Sequence, residues 1–151
     1  MVVFDLDFTL WDCGGVWCDC TNPPYYKMNG HIIDSSDRII SLYPDVKDIL
    51  KELHKKGFEM ALASRTSEPG WAKELLELFE ISDYFRMQEI YPSSKTRHFN
   101  RLYQKTGIPF EKMYFLDDEY RNIEEVSGLG VNCLHVKNGV SRNEVFHFLR
   151  L

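Results

Sequence analysis

With 151 residues and 44% hydrophobic side chains, the chain has the size and composition of one compact domain around a single buried core. Its formal net charge of −5 excludes a fold that attracts nucleic acid or anionic lipid as a whole, so any phosphate-handling site must find positive charge locally. No apolar run reaches the ~18–20 residues of a membrane span, and the opening Met-Val-Val-Phe lacks a secretory leader's basic stretch, so a soluble, cytoplasmic protein is expected.

The elements alternate. Met1 to Leu6 reads as a strand buried on both faces, being short, β-branched and aromatic. Trp11 to Tyr43 is irregular, but Asn29-Gly30 favours a type I′ turn, so a β-hairpin flap is expected over the carboxyl end of the first strand. Pro44 opens a helix whose apolar positions are Val46, Ile49, Leu50 and Leu53, and Gly57 ends it. Phe58 to Ala63 is the next strand, and a helix follows from Pro69 with Leu75, Leu76 and Phe79 facing inward. One more strand fits before a helix over Ser94 to Lys105, which Gly107 stops. Met113 to Leu116 is a buried strand, a short helix carries Ile123 and Val126, and Val131 to Val136 is the last strand. Ser141 and Glu144 form a capping box for the final helix. This alternation predicts an α/β fold with a mostly parallel sheet between helical layers, in one domain over 1–151 with a flap at about 11–43. Ligands of such sheets bind at the carboxyl ends of the strands, so residues that carry chemistry should lie just after them.

Four places meet that demand. Asp5-Leu6-Asp7-Phe8-Thr9 ends the first strand with two carboxylates whose repulsion a divalent cation would relieve, and an extended chain puts both on one face. Hard Mg²⁺, which takes oxygen ligands beside substrate phosphate, suits such a pair. Ser64 follows Ala63 in Ala-Ser-Arg-Thr, where its hydroxyl and nearby backbone N–H groups can hold phosphate oxygens. Lys95 stands at a helix start, against the helix dipole, a placement that a phosphate contact would explain. Asp117-Asp118 follows Met-Tyr-Phe-Leu and again calls for a cation.

Asp5-x-Asp7-x-Thr9, Ser64, Lys95 and Asp117-Asp118 resemble, in order, the four motifs of the haloacid dehalogenase (HAD) superfamily. More narrowly, Phe4 to Trp11, Ala63 to Ser67, Glu89 to Pro92, Phe115 to Glu119 and Arg121 to Ile123 resemble its magnesium-dependent phosphatases. The resemblance implies a three-layer Rossmann-like fold and a Mg²⁺-dependent phosphatase with Asp5 as nucleophile and Asp7 as general acid and base. It further implies metal ligation by Asp5, the Asp7 backbone carbonyl and Asp118, with Asp117 acting through water, and phosphoryl contacts from Ser64 and Lys95. Arg65 is a candidate substrate contact, and Thr9 supports the turn. Only 11–43 is available for a cap, so the site should be open to a phosphorylated small molecule or a phosphorylated protein side chain. Phosphotyrosine and sugar phosphates are the expected substrates. Trp11, Trp17, Tyr25 and Tyr26 could stack on the substrate or pack the flap.

Three other readings compete. A receiver-like phospho-acceptor uses the same residue types, but places its acidic pair before the acceptor and lacks an Asp7; a HAD phosphotransferase would need cap residues. A zinc module on Cys13, Cys18 and Cys20 lacks a usual zinc spacing. His54, His98 and His147 are expected at surface or boundary positions, and His31 and His135 belong to no triad. Oligomeric state is not encoded in any feature of the sequence.

Overall fold

A computed structural model describes residues 1–151. The chain runs β1 (Val2–Phe4), β2 (Trp11–Asp12), β3 (Tyr26–Met28), β4 (His31–Ile33), β5 (Ile39–Leu42), α1 (Val46–Lys55), β6 (Met60–Ser64) and α2 (Pro69–Leu78). It continues with β7 (Met87–Ile90), α3 (Lys95–Thr106), β8 (Tyr114–Asp117), α4 (Tyr120–Ser127), β9 (Asn132–His135) and α5 (Arg142–Phe148).

Alternation along the strands decides the layering. In β1, Val2 and Phe4 join the larger apolar cluster and Val3 the smaller; in β6, Met60 and Leu62 face one way, Ala61 and Ala63 the other. The larger cluster is closed by Val46, Ile49, Leu50 and Leu53 of α1, by Ala72, Leu75 and Leu76 of α2, and by Val145 and Phe146 of α5. The smaller is closed by Phe99 and Leu102 of α3 and Val126 of α4. Helices therefore cover both faces of the sheet, as the continuous apolar strands require.

The five-stranded sheet has the order β7-β6-β1-β8-β9 and is parallel throughout. The chain builds outward from β1 through β6 to β7, then crosses to β8, so the strand order reverses between β1 and β8. Their carboxyl ends form the crevice where such sheets bind ligands.

The insertion after β1 is more than the expected hairpin. β2, β5, β4 and β3 form a four-stranded antiparallel sheet, of which the β3–β4 hairpin is one edge. Asn29 and Gly30 have φ of 51° and 81°, the positive pair that a type I′ turn demands. Two helix ends differ from expectation. Pro44 lies two residues before α1, and Asp45 is the N-cap. Only half of the capping box forms: Ser141 Oγ accepts Glu144 N at 3.4 Å, while the hydroxyl donates to Glu144 Oε2 at 3.1 Å in place of the reciprocal backbone bond.

Candidate active site

Beyond Phe4 the chain reverses over a few residues. Leu6 O accepts N–H groups from Thr9, Leu10 and Trp11 at 3.1, 2.9 and 3.3 Å, and Phe8 N donates to Trp11 O at 2.8 Å. Phe8 takes a φ of 60°, a left-handed conformation that costs a side-chain-bearing residue about 1–2 kcal/mol. The turn leaves Asp5 and Asp7 on the wall of one cavity of about 170 Å³, together with Ser64, Arg65 and Lys95.

Asp5 and Asp117 each follow the side-chain parity of their strands, onto the face that α3 covers. One oxygen from each of Asp5, Asp117 and Asp118 lies within 4.8 Å of the other two. The single ammonium opposite them is Lys95, 1% exposed, whose Nζ lies 3.0 Å from Asp5 Oδ1 and 3.3 Å from Asp117 Oδ2. It also donates to Ala63 O. Three carboxylates against one cation leave a buried excess of negative charge. Burial pushes Asp5 up to about 7 against the pull of Lys95, and burial pushes Asp117 and Asp118 up to about 6. Lys95, which burial alone would lower, is held above the ordinary lysine value by Asp5 and Asp117.

The donor set, all carboxylate oxygen with a net negative excess, fits a hard divalent cation. Asp117 has its oxygens engaged: Oδ1 accepts Glu119 N at 2.7 Å, and Oδ2 accepts Asn122 Nδ2 at 3.0 Å besides Lys95. Asp118 is more exposed, and its carboxylate is held by no amide or ammonium of another side chain; its side-chain partner is the neighbouring Asp5 carboxyl. This asymmetry favours Asp118 over Asp117 for direct ligation. The side chain of Asp7 is outside the group. Its Oδ1 accepts Trp11 Nε1 at 2.8 Å and Cys18 N at 2.9 Å, and burial pushes its pKa up to about 6.

Residues 1–150 match the family described as Acid Phosphatase. The chain belongs to this acid phosphatase family. It is 50% identical over 143 residues to Magnesium-dependent phosphatase 1 of Homo sapiens, covering 93% of this chain and 80% of that protein. It is 36% identical over 146 residues to a HAD-like hydrolase superfamily protein of Schizosaccharomyces pombe, covering 88% and 83%. Its fold is similar to that of the N-terminal part of a Bacteroides fragilis protein containing a phosphatase domain complexed with Mg, with a TM-score of 0.68 at 19% identity. That alignment covers 99% of this chain and 38% of the other. The fold is the compact α/β HAD fold.

Within this acid phosphatase framework several expectations change. Of the four flap aromatics, only Trp17, 51% exposed, lines the cavity. Trp11 and Tyr25 are core, because their rings close the insertion against the body, while Tyr26 is exposed away from the cavity. His98 is buried where a surface or boundary position was expected: its helix face packs against Tyr91, whose carbonyl meets Nε2 at 3.0 Å. Cys13 and Cys18 are buried and Cys20 is exposed, and the group of candidate metal ligands that the fold gathers is the aspartate cluster. Arg65 reaches the cavity but is tied to Asn122 Oδ1 at 3.1 Å. Thr9 lies 3.4 Å from Asp5 Oδ2 and supports the turn through Val140 N, which donates to its carbonyl at 3.0 Å.

Asn122 belongs to the Arg121 to Ile123 stretch that carries the resemblance, but sequence reasoning assigned it no role. It links Asp117 to Arg65 from the buried side of α4. A polar side chain four residues before Val126, on an apolar helical stripe, was the available signal.

Proposed function

We propose that this protein is a Mg²⁺-dependent phosphatase that hydrolyses phosphomonoesters through an aspartyl phosphate on Asp5, within a single domain over residues 1–151. The observation that carries the reading is the convergence of carboxylates from two distant segments beside a buried lysine, with a further acid, Asp7, on the same cavity wall. The name of the human relative supports the choice of Mg²⁺.

Asp5, the Asp7 backbone carbonyl and Asp118 would hold the ion, with Asp117 behind them. When bound, Mg²⁺ supplies positive charge that offsets the acids and the phosphoryl oxygens. A free oxygen of Asp5 attacks phosphorus as the ester P–O bond breaks, and Asp7 gives its proton to the departing oxygen. In the second step water attacks phosphorus, Asp7 takes the proton of that water, and Asp5 is released with inorganic phosphate. An acid near neutrality in its pKa suits both duties. The Ser64 hydroxyl and Arg65, which line the same cavity, bind phosphoryl oxygens. Lys95 acts mainly through its charge, since an ammonium has three donors and three protein acceptors already surround it.

Between Ser64 and Lys95 lie only α2, a short turn of helix and β7, so no large cap closes the cavity. An open rim with one exposed tryptophan admits phosphotyrosine and sugar phosphates, free or carried on a protein. The test is phosphate release from phosphotyrosyl peptides and sugar phosphates, with Mg²⁺ and with EDTA, for wild type and Asp5→Asn. Turnover by wild type with Mg²⁺ alone, absent in Asp5→Asn, is expected. Turnover retained in Asp5→Asn would remove the nucleophile from Asp5. No turnover, with stoichiometric self-phosphorylation instead, would favour a phospho-acceptor.

A further inference from the structure

The donors that hold the Asp7 carboxylate all come from the insertion after β1, and all meet the same oxygen. Trp11 Nε1 lies 2.8 Å from Asp7 Oδ1, Cys18 N lies 2.9 Å away, and Cys13 Sγ lies 3.7 Å away. No protein donor reaches Oδ2, although Asp7 lines the cavity. Trp11 is fully buried, its ring against Phe79 with centroids 6.1 Å apart. A buried indole has one N–H and needs one acceptor. Most carbonyls would satisfy it; here it is aimed at a carboxylate on the cavity wall.

We propose that Trp11 is a positioning residue for proton transfer: by holding Asp7 through Oδ1, it leaves Oδ2 as the oxygen that carries the proton to and from the reacting groups. The insertion is then a brace for the acid as well as a rim for the cavity. This rests on the phosphatase reading above. In the first step the P–O bond breaks and the departing oxygen takes the proton of Oδ2. In the second, Oδ2 takes the proton of the attacking water. Without the Trp11 N–H, Cys18 N is the one short-range donor left on Oδ1, and a carboxylate held at that single point can rotate, so the proton no longer points along one path. Esters whose leaving group departs as a stable anion do not need that proton; alkyl and sugar esters do.

That difference separates positioning from packing. Trp11→Phe removes the N–H and part of the ring. Replacing position 11 alone with benzothienylalanine removes the N–H and keeps the bicyclic shape, so it decides the matter if the phenylalanine variant does not fold. Phe79→Leu disturbs the packing of Trp11 and leaves its N–H in place. The readout is kcat/KM for an alkyl phosphate against dinitrophenyl phosphate, with Mg²⁺. Loss of the donor is expected to lower alkyl phosphate turnover about 10–100-fold, a part of the roughly 10²–10⁴-fold that a general acid contributes, while dinitrophenyl phosphate changes by less than about threefold. Phe79→Leu should lower Tm and leave the ratio of the two substrates unaltered. Equal losses on both substrates, or none on either, in the benzothienylalanine protein would overturn the assignment of Trp11. Failure of the wild type to hydrolyse either ester would instead count against the phosphatase reading itself.

Discussion

At the first position of α3 the helix dipole works against a cation, and burial works against any charge, yet Lys95 is 1% exposed there. Its compensation lies entirely outside its own helix, in Asp5 and Asp117 at 3.0 and 3.3 Å. Removing one member of a buried ion group leaves the others uncompensated, at a cost on the order of 3–5 kcal/mol. Lys95→Met is therefore expected to lower Tm sharply in EDTA at pH 8. The loss should shrink at pH 5, where Asp5, Asp117 and Asp118 can take up protons in place of the missing charge. Thermal melts at the two pH values test this, and an equal loss at both would remove the carboxylates from the explanation. Lys95 shows how far a residue can be read in one dimension. Its type and its place at a helix start were legible and pointed to an anion, but a phosphate and a carboxylate look alike from that distance.

The turn from Asp5 to Trp11 is the element on which the site depends, and it is held from outside. Val140 N donates to Thr9 O at 3.0 Å and Tyr43 N to Leu10 O at 3.0 Å, so the loop after β9 and the junction before α1 brace it from two sides. Gly139 is where these braces meet. Its φ is +72°, and a Cβ there would stand 2.2 Å from the Tyr43 ring. Gly139→Ala is expected to destabilise by about 1–3 kcal/mol, the range for steric and backbone strain at a special position. Because the displaced ring lies beside the turn, Mg²⁺ affinity should weaken in the same variant. Calorimetry for Tm and for Mg²⁺ binding checks both, and an unchanged Tm would show that Tyr43 moves aside freely. Turns differ in legibility. Asn29-Gly30 announces its positive φ through residue type, whereas Phe8 adopts φ 60° without a glycine or asparagine to signal it.

Across the whole molecule, the parallel order reverses between β1 and β8, and this brings residues 5 and 117 together. The gathered acids couple stability to pH. Asp5 is raised to about 7, and Asp117 and Asp118 to about 6, while the unfolded chain releases these protons near pH 4. Between those values the folded state holds more protons than the unfolded one, so this contribution to stability falls as pH rises from about 4 to about 7. His98, lowered to about 4 by burial, works the other way, since its unfolded form takes up a proton below about 6.5. The difference between melts with and without Mg²⁺ cancels His98 and isolates the acids. That difference is expected to grow from pH 5 to pH 8, as ion binding displaces fewer protons. Titration calorimetry in buffers of different ionisation enthalpy should record proton release at pH 6 and little at pH 8. A Mg²⁺ effect independent of pH would mean that the ion does not bind these carboxylates.

The sequence by itself determined the alternation of strands and helices, the placement of the acids and Ser64 at strand ends and of Lys95 at a helix start, and the β3–β4 turn. These are local properties: side-chain period, cap and turn chemistry act over a few residues. The tertiary structure alone decided which carboxylate oxygens are engaged and which are free, that Trp11 and His98 are buried, and that Asn122 joins the site. Those outcomes depend on partners distant in the chain, such as Lys95 and Asp5, 90 residues apart. A hydrogen bond or a desolvated charge exists only once the fold has brought both groups to one place and excluded water from it.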